Sequence, residues 1–270
     1  MAGESAMQLA IAGGFRGYVE RALAAGLRVA ALEVAPQLEA RLAASGGMLA
    51  QSWEQAVADL ALPRVVLCDL PPGDGIERAL DEGSRRLAPG DVMVDASGSW
   101  WCDTLRRWRR LRHRAVYLVD VTEAVPLAGP PRLLLAGEEQ GVRVARAALL
   151  PLAPEGGLDV AGGPGAAHFL EALADGLRTL QELAVDEARQ LAEAWPGRLR
   201  PGLVEELWPL AAGEQAAGRA VWLLDDAVRL EAAVPLLGQA VMLKLGERLE
   251  AHRSRPPLPR LGPFTVPEEE

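Results

Sequence analysis

The sequence contains very little lysine and cysteine, and each shortage limits the chemistry available to the chain. Lys244 is the only lysine among 270 residues, so any chemistry that needs a lysine has one candidate position. Cys68 and Cys102 are the only cysteines, and two cysteines in a chain of this length do not make a disulfide framework. No histidine, cysteine or aspartate cluster has the spacing of metal ligands, so we predict no metal site.

Long apolar runs and an excess of positive charge are also absent. No stretch of about 18 uninterrupted apolar residues occurs, and we therefore expect no membrane span. Residues 1–7 lack the pattern of a signal peptide, which predicts a cytoplasmic protein. The formal net charge of -9 would repel phosphates, so we expect no nucleic-acid partner. One dense arginine cluster would point all round a helix, and we interpret it as solvated surface: Arg106, Arg107, Arg109, Arg110, Arg112 and Arg114.

The first half of the chain alternates short apolar segments with helix patterns. Half of all residues are hydrophobic (50%) and 24% are charged, as in a folded soluble protein. The predicted strands lie at 7–12, 27–33, 64–70, 90–95, 115–120 and 132–136. Strands that alternate with helices predict a doubly wound, Rossmann-type parallel sheet.

The pattern changes at a glycine-rich stretch, residues 156–165. Helix patterns alone follow, at 166–194, 201–211, 214–231 and 233–252. Residues 253–270 hold five prolines and three terminal glutamates, which is typical of an extended tail. We therefore predict an α/β domain over 1–156, an all-α domain over 157–252 and a proline-rich acidic tail over 253–270.

A glycine-rich turn joins the first predicted strand to the first predicted helix. Compared with G-x-G-x-x-G, Ala12 stands at the first glycine position, Gly14 at the second and Gly17 at the third. The second glycine lets a pyrophosphate approach the backbone, and the third lets the helix pack on the strand. An alanine at the first position would cost about 1 kcal/mol if its φ were positive. The pattern predicts a dinucleotide on the helix N-terminus, and the alternative is a turn that binds nothing.

Glu33 ends the second predicted strand, where a carboxylate can accept hydrogen bonds from both ribose hydroxyls. The same carboxylate would repel a 2′-phosphate, and the next residue is Val34 rather than an arginine. Both NAD and NADP are candidate cofactors, and this position favours NAD.

Several segments in order resemble the 6-phosphogluconate dehydrogenases and the wider β-hydroxyacid dehydrogenase superfamily. Leu70-Pro71-Pro72-Gly73 resembles the family's Val-Pro-Ala-Gly loop beside the nicotinamide, which implies that Pro71 and Gly73 contact the cofactor. The other matching segments are 94–99 (Ile-Asp-Gly-Gly-Asn-Ser in the family), 117–121, 165–169 (Gly-Ala-Gly-His-Phe) and 222–225 (Trp-Leu-Leu-Asp). The resemblance spans about residues 7 to 250. It implies a small-molecule substrate and a homodimer formed through the helical domain.

The departures from the family pattern fall on the residues that handle the proton and the substrate. The family's catalytic lysine falls on Glu171, its asparagine on Asp175 and its catalytic glutamate on Arg178. The Ser-Gly-Gly turn becomes 123–125, Glu-Ala-Val, while Ser99 is retained. Acidic groups at these positions would repel a phosphorylated sugar acid. We therefore predict that the chain does not decarboxylate 6-phosphogluconate efficiently.

Two classes of function remain open. The first is a catalytically impaired homologue that can still bind a nicotinamide dinucleotide. The second is an NAD(P)H-dependent oxidoreductase of changed specificity. It would resemble either an imine reductase with Glu171 as proton donor, or a hydroxyacid dehydrogenase that uses Asp95, Ser99 and His168. We interpret His168 itself as a helix-start residue packed against the sheet.

Overall fold

A computed structural model describes residues 7–126, 129–194, 200, 216–229 and 235–252. The chain separates into two compact units, Met1–Ala174 and Asp175–Glu270. The last strand of the sheet and the first turns of the long helix thus belong to the first unit, whereas the sequence placed a boundary near 157. The predicted helix over 201–211 and the predicted tail over 253–270 lie outside the described residues.

The first unit contains one eight-stranded sheet in the order β3-β2-β1-β4-β5-β6-β7-β8. Its strands are β1 (Leu9–Ala12), β2 (Val29–Leu32), β3 (Met48–Leu49), β4 (Val65–Cys68), β5 (Val92–Asp95), β6 (Tyr117–Ala124), β7 (Arg132–Gly137) and β8 (Leu158–Gly162). Strands β3 and β8 have no predicted counterpart. β3 has only two residues, and β8 is largely exposed, so neither shows an apolar run.

All neighbouring strands are parallel except β6 and β7, which are antiparallel. The predicted parallel sheet thus contains one antiparallel pair. Only residues 125–131 join the two strands, and a parallel connection needs about a dozen residues or more to cross over. The chain therefore turns back beside β6.

Helices cover both faces of the sheet and continue into the second unit. They are α1 (Tyr18–Ala24), α2 (Glu39–Ala44), α3 (Trp53–Ala58), α4 (Asp74–Ser84), α5 (Trp101–Arg112), α6 (Glu139–Leu149), α7 (Ala166–Ala194), α8 (Ala216–Arg229) and α9 (Pro235–His252). Alternate residues of β1 enter opposite cores, Leu9 and Ile11 on one face and Ala10 and Ala12 on the other. Burial on both faces explains why the central strands are continuous apolar runs. The architecture is the predicted Rossmann-type sheet with a helical part.

The second unit has a small core of its own. Ala220, Leu237 and Val241 are buried there. A Cβ on Gly176 of α7 would lie 2.6 Å from Leu223 Cδ2 of α8, so a glycine lets these two helices approach closely.

Candidate functional site

The carboxyl ends of the central parallel strands bring polar groups to one edge of the sheet. This edge is where open α/β sheets bind ligands. The glycine turn follows β1, Asp69 follows β4, Asp95 ends β5 and Asp120 lies in β6. Asp95 is paired with Asp120 in the β5–β6 register, so these two carboxyl groups belong to neighbouring strands.

The tight turn after β1 depends on Gly13 rather than on Ala12. Ala12 is the buried last residue of the strand, and it is not among the residues with positive φ. Gly13 has a φ of 86°, and a Cβ there would lie 2.4 Å from the Asp69 carbonyl oxygen. The penalty that a positive φ would bring at Ala12 therefore does not arise, because the left-handed conformation falls one residue later.

Gly14 and Gly17 occupy the places that the pattern predicts. No atom lies within 4 Å of a Cβ built on the exposed Gly14, so its backbone is open to a ligand. Gly17 has a φ of 78° and directly precedes α1. The turn thus keeps two of the glycines of the pattern between a strand and a helix.

The amide groups of this turn, however, already have an acceptor in Asp69. The Asp69 carboxylate accepts from the Arg16 amide through Oδ1 at 2.8 Å and from the Tyr18 amide through Oδ2 at 3.2 Å. The Phe15 amide donates to the Asp69 carbonyl oxygen at 2.9 Å, and the Gly17 amide also interacts with the carboxylate. The Asp69 side chain has 0% exposure. Burial raises its pKa, and the hydrogen bonds from Tyr18 and Arg16 oppose that shift.

This arrangement does not fit the diphosphate of a nicotinamide dinucleotide. A diphosphate at a Rossmann turn accepts hydrogen bonds from backbone amides at the start of the first helix. Each amide has a single proton to donate, and the protons of residues 15 to 18 point to Asp69. The shape of the glycine turn is therefore kept, while its hydrogen-bonding capacity is directed inward.

The remaining predicted cofactor residues lie at the same edge. Glu33 directly follows β2, is exposed, and lines a cavity of ≈ 360 Å³ together with Arg85 and Arg86. Arg86 is paired with Glu54 at 2.5 Å. Pro71 and Gly73 are exposed in the loop between β4 and α4. The structure thus leaves room beside the predicted ribose position.

Glu171, at the position of the family's lysine, is held by two hydrogen bonds. Its Oε1 lies 2.6 Å from an Arg16 guanidinium nitrogen, and its Oε2 accepts from the Thr122 hydroxyl at 2.8 Å. The side chains of Arg16 and Glu171 are only 20% and 10% exposed. Burial alone would lower the pKa of Arg16, but the Glu171 carboxylate raises it above the usual value. The glycine turn and the start of α7 are therefore joined by an ion pair.

A second ion pair engages the segment that replaces the Ser-Gly-Gly turn. Glu123, near the end of β6, lies 2.5 Å from Arg21 of α1. Arg16 before α1 and Arg21 within it thus pair with two acids, Glu171 and Glu123, that the sequence resemblance aligns with substrate positions of the family.

Ser99 lies in a buried hydrogen-bond chain rather than in an open pocket. Its hydroxyl oxygen is 2.6 Å from that of Ser97, which donates to Asp95 at 2.6 Å. Asp95 also pairs with Arg107 at 2.8 Å, and the Ser99 residue is 3% exposed. Burial would raise the pKa of Asp95, but the charges of His168 and Arg107 lower it below its usual value. This series of hydrogen bonds and the ion pair link β5 to α5.

Arg107 is the exception to the prediction that the arginine cluster is solvated surface. It is 2% exposed because its guanidinium lies between Asp95 and Glu77, with the Glu77 carboxylate 2.8 Å away. The Arg107 side chain points into the protein, where the buried Asp95 is its partner.

His168 packs at the start of α7, as the sequence interpretation proposed. It is 1% exposed, with Nδ1 2.7 Å from the Thr104 hydroxyl and Nε2 3.2 Å from the Asp95 carbonyl oxygen. Asp120 accepts from the amides of Gly165, Ala167 and His168 at 2.7, 3.0 and 3.2 Å. These contacts fix the start of α7.

Asp175 belongs to the second unit, unlike the other predicted site residues. It is 4% exposed and pairs with Arg178 one turn later at 2.6 Å, as the i,i+3 spacing indicates. The structure brings Glu171 to the glycine turn through Arg16, but it gives Ser99 and Asp175 other surroundings.

Sequence reasoning missed Asp69 and Arg16 as members of this site. The available signals were an acid directly after a buried strand and an arginine inside the glycine turn. Within the described part of the chain, no group of three histidine, cysteine, aspartate or glutamate side chains could hold a metal ion. Among the same residues, no helix has the length and apolar character needed to cross a membrane.

Residues 16–154 match the family described as the NAD binding domain of 6-phosphogluconate dehydrogenase. A putative 6-phosphogluconate dehydrogenase of Bacillus subtilis is 20% identical over 75% of this chain and 77% of its own. The decarboxylating 6-phosphogluconate dehydrogenase of Synechococcus elongatus is 24% identical over 81% of this chain, which spans only 55% of that enzyme. A 3-hydroxyisobutyrate dehydrogenase structure from Mycobacterium tuberculosis superimposes with a TM-score of 0.70 at 20% identity, covering 90% of this chain and 94% of that one.

Proposed function

The chain belongs to the family of the NAD binding domain of 6-phosphogluconate dehydrogenase, and from that membership we propose that it is a catalytically impaired homologue. In this proposal the chain keeps the NAD(P)-binding fold of an oxidoreductase family but does not oxidise 6-phosphogluconate. The acid at the family's lysine position has instead become a structural contact.

The observation that carries the proposal is the engagement of both Glu171 carboxylate oxygens. Arg16 binds one oxygen and Thr122 binds the other, at 2.6 and 2.8 Å. A general base must be able to take a proton from the substrate, and it must lie within hydrogen-bond reach of that proton. A carboxylate that is largely buried and paired with an arginine is poorly placed for this step.

The substrate's phosphate gives a second argument. A phosphorylated sugar acid needs cations, and Arg16 and Arg21 are already paired with Glu171 and Glu123. Opening either pair would leave an acid close to the incoming phosphate. The ion pairs therefore disfavour the substrate as well as the chemistry.

The same contacts weigh against the changed oxidoreductase in its imine reductase-like form. That reaction would require Glu171 to deliver a proton, yet its oxygens accept hydrogen bonds from Arg16 and Thr122. The hydroxyacid dehydrogenase-like form would require Ser99 and His168 to face a substrate, and both are buried in contacts within the protein.

The proposal also covers the cofactor, the oligomeric state and the location. Any nicotinamide dinucleotide that does enter this domain is proposed to be NAD, because Glu33 favours ribose hydroxyls over a 2′-phosphate. A homodimer through the helical part is supported by three exposed apolar side chains of α9, Leu236, Met242 and Leu243. We retain the cytoplasm as the proposed location.

The test is an assay of the full chain with 6-phosphogluconate and either NAD or NADP, followed by the absorbance of the reduced nicotinamide. We expect no turnover, and an active decarboxylating dehydrogenase of the family serves as the positive control. Glu171→Gln should also lower the free energy of unfolding by about 1 kcal/mol, because a paired and largely buried carboxylate is lost.

A turnover of about one per second or faster would refute the proposal, since rates of this order are usual for working enzymes. A Glu171→Gln chain that is as stable as the wild type, or more stable, would contradict the structural role. Catalytic residues are commonly held at some expense of stability, so their removal often stabilises a protein.

A further inference from the structure

The glycine turn is closed by an acceptor that the chain itself supplies. The Asp69 carboxylate receives the amides of Arg16 and Tyr18, and its carbonyl oxygen receives the amide of Phe15. These hydrogen bonds join the glycine turn after β1 to the residue that follows β4. No exposed surface of Asp69 remains for contact with solvent or ligand.

A diphosphate would need the same donors. It carries negative charge, and it binds a Rossmann turn through amides at the helix start. Two acceptors cannot share one amide proton at full strength, and two negative groups at contact distance repel one another. A bound dinucleotide and an ionised Asp69 in this position therefore exclude each other.

The backbone around Asp69 gives the turn little freedom to move away from it. The Asp69 amide donates to the Ala12 carbonyl oxygen at 2.7 Å, as a continuation of the β1–β4 pairing. A Cβ on Gly13 would meet the Asp69 carbonyl oxygen at 2.4 Å and the Leu70 side chain at 2.6 Å. The turn is therefore pressed against the end of β4, and the carboxylate lies beneath its amides.

We propose that Asp69 is an internal anion that closes the glycine turn of this domain to nicotinamide dinucleotides, and that its removal opens the turn to them. Asp69 is in this sense a specificity-determining residue. It explains how a chain can keep the fold and the glycines of a dinucleotide domain while its amides serve another acceptor. The inference concerns binding alone and does not depend on the loss of turnover proposed above.

The experiment measures NADH binding by fluorescence titration of the full-length wild type and of Asp69→Ala. Asp69→Ala should bind NADH at least about fivefold more tightly, because a competing acceptor and a repelling charge are both removed. Asp69→Asn keeps an oxygen acceptor and loses the charge, and its gain should have the same sign but be smaller. Melting curves and circular dichroism establish that each variant is folded, and Asp69→Asn decides the matter if Asp69→Ala does not fold.

Asp91→Ala is the matched control. Asp91 is also buried, at 1% exposure, and also accepts two backbone amides, from Arg64 at 2.7 Å and Ala88 at 2.9 Å. It lies directly before β5, at the opposite end of that strand from the glycine turn. Its removal should leave the affinity for NADH unchanged.

Three results would overturn the inference. The first is a gain for Asp69→Ala smaller than about fivefold, or no gain for Asp69→Asn where Asp69→Ala does not fold, which would mean that the carboxylate does not compete with the dinucleotide. The second is an equal gain in Asp91→Ala, which would indicate a general loosening of the domain. The third is tight NADH binding by the wild type: without oxidation of 6-phosphogluconate it would refute this inference and leave the proposed function standing, whereas oxidation, which needs a bound dinucleotide, would refute both.

Discussion

Asp69 and Asp120 are both buried aspartates at the carboxyl edge of the sheet, and both accept backbone amides from the start of a helix. Asp120 receives three amides at the start of α7, a helix of 29 residues. Asp69 receives the amides of Arg16 and Tyr18 at the start of α1, a helix of seven residues. The hydrogen bonds are of one kind, and each carboxylate also faces the positive end of a helix dipole.

The difference lies in what else could use those amides. The start of α7 is the opening of a long helix, and its amides serve only to fix the helix against β6. The start of α1 is the place where the family's nucleotide would bind. The same kind of cap therefore leaves function unaffected at α7, whereas at α1 it occupies the amides that a dinucleotide would use.

The largest effect is expected from Asp120→Ala. Three amides lose a buried acceptor, so the free energy of unfolding should fall by about 3 kcal/mol in urea or guanidinium titrations. Asp159→Ala is the control, because Asp159 is 53% exposed in a surface pair with Arg132. That change should stay within about 0.5 kcal/mol. Equal stability of the two variants would show that the α7 cap contributes little.

A smaller loss is expected from Asp69→Ala in the absence of nucleotide. Because α1 has only seven residues against the 29 of α7, unfolding should require about 1.5 kcal/mol less than in the wild type. Chemical denaturation followed by circular dichroism measures this difference. A loss greater than that of Asp120→Ala would mean that Asp69 is chiefly a structural residue.

The smallest effect is a dependence on pH that both aspartates share. Burial raises the pKa of each, against the opposing amides of Tyr18 and Arg16 for Asp69 and the charge of His168 for Asp120. Because the pKa is raised on folding, each aspartate stabilises the folded protein, relative to an asparagine at the same position, most fully below its usual pKa of 3.8. This stabilisation is lost as the pH rises through the pKa of the folded protein.

The wild type should therefore gain stability relative to Asp69→Asn and Asp120→Asn on acidification, by about 1 kcal/mol or less. Unfolding titrations at neutral and acidic pH measure the two differences. A relative loss at acidic pH for either aspartate would mean that its pKa is lowered in the folded protein.

The central fold could be predicted from the sequence because its strands carry a strong signal. Strands β1, β4 and β5 are buried at every residue, so each is an apolar run between turns, except that β5 ends in Asp95. The short β3 and the exposed β8 lack that signal. The reversal at β7 depends on the length of a connection rather than on composition.

The candidate site could be predicted only in part. Gly14, Gly17 and Glu171 were predicted because each stands in a recognisable pattern. Asp69 was not predicted as a site residue because its partners are backbone amides, which every residue but proline has. One of these partners lies 53 positions away. The Arg16 partner of Glu171 is 155 positions away, and a single sequence gives no sign of such a pair.

The inward-facing amides of the glycine turn also bear on how this region exchanges hydrogen with water. The first amides of a helix normally have no partner within the helix and meet solvent directly. Here Arg16 and Tyr18 donate to a carboxylate that water does not reach. Exchange at these two amides then requires β4 and the turn to separate. The start of α1 is therefore protected from exchange by its contact with the sheet rather than by hydrogen bonds within the helix.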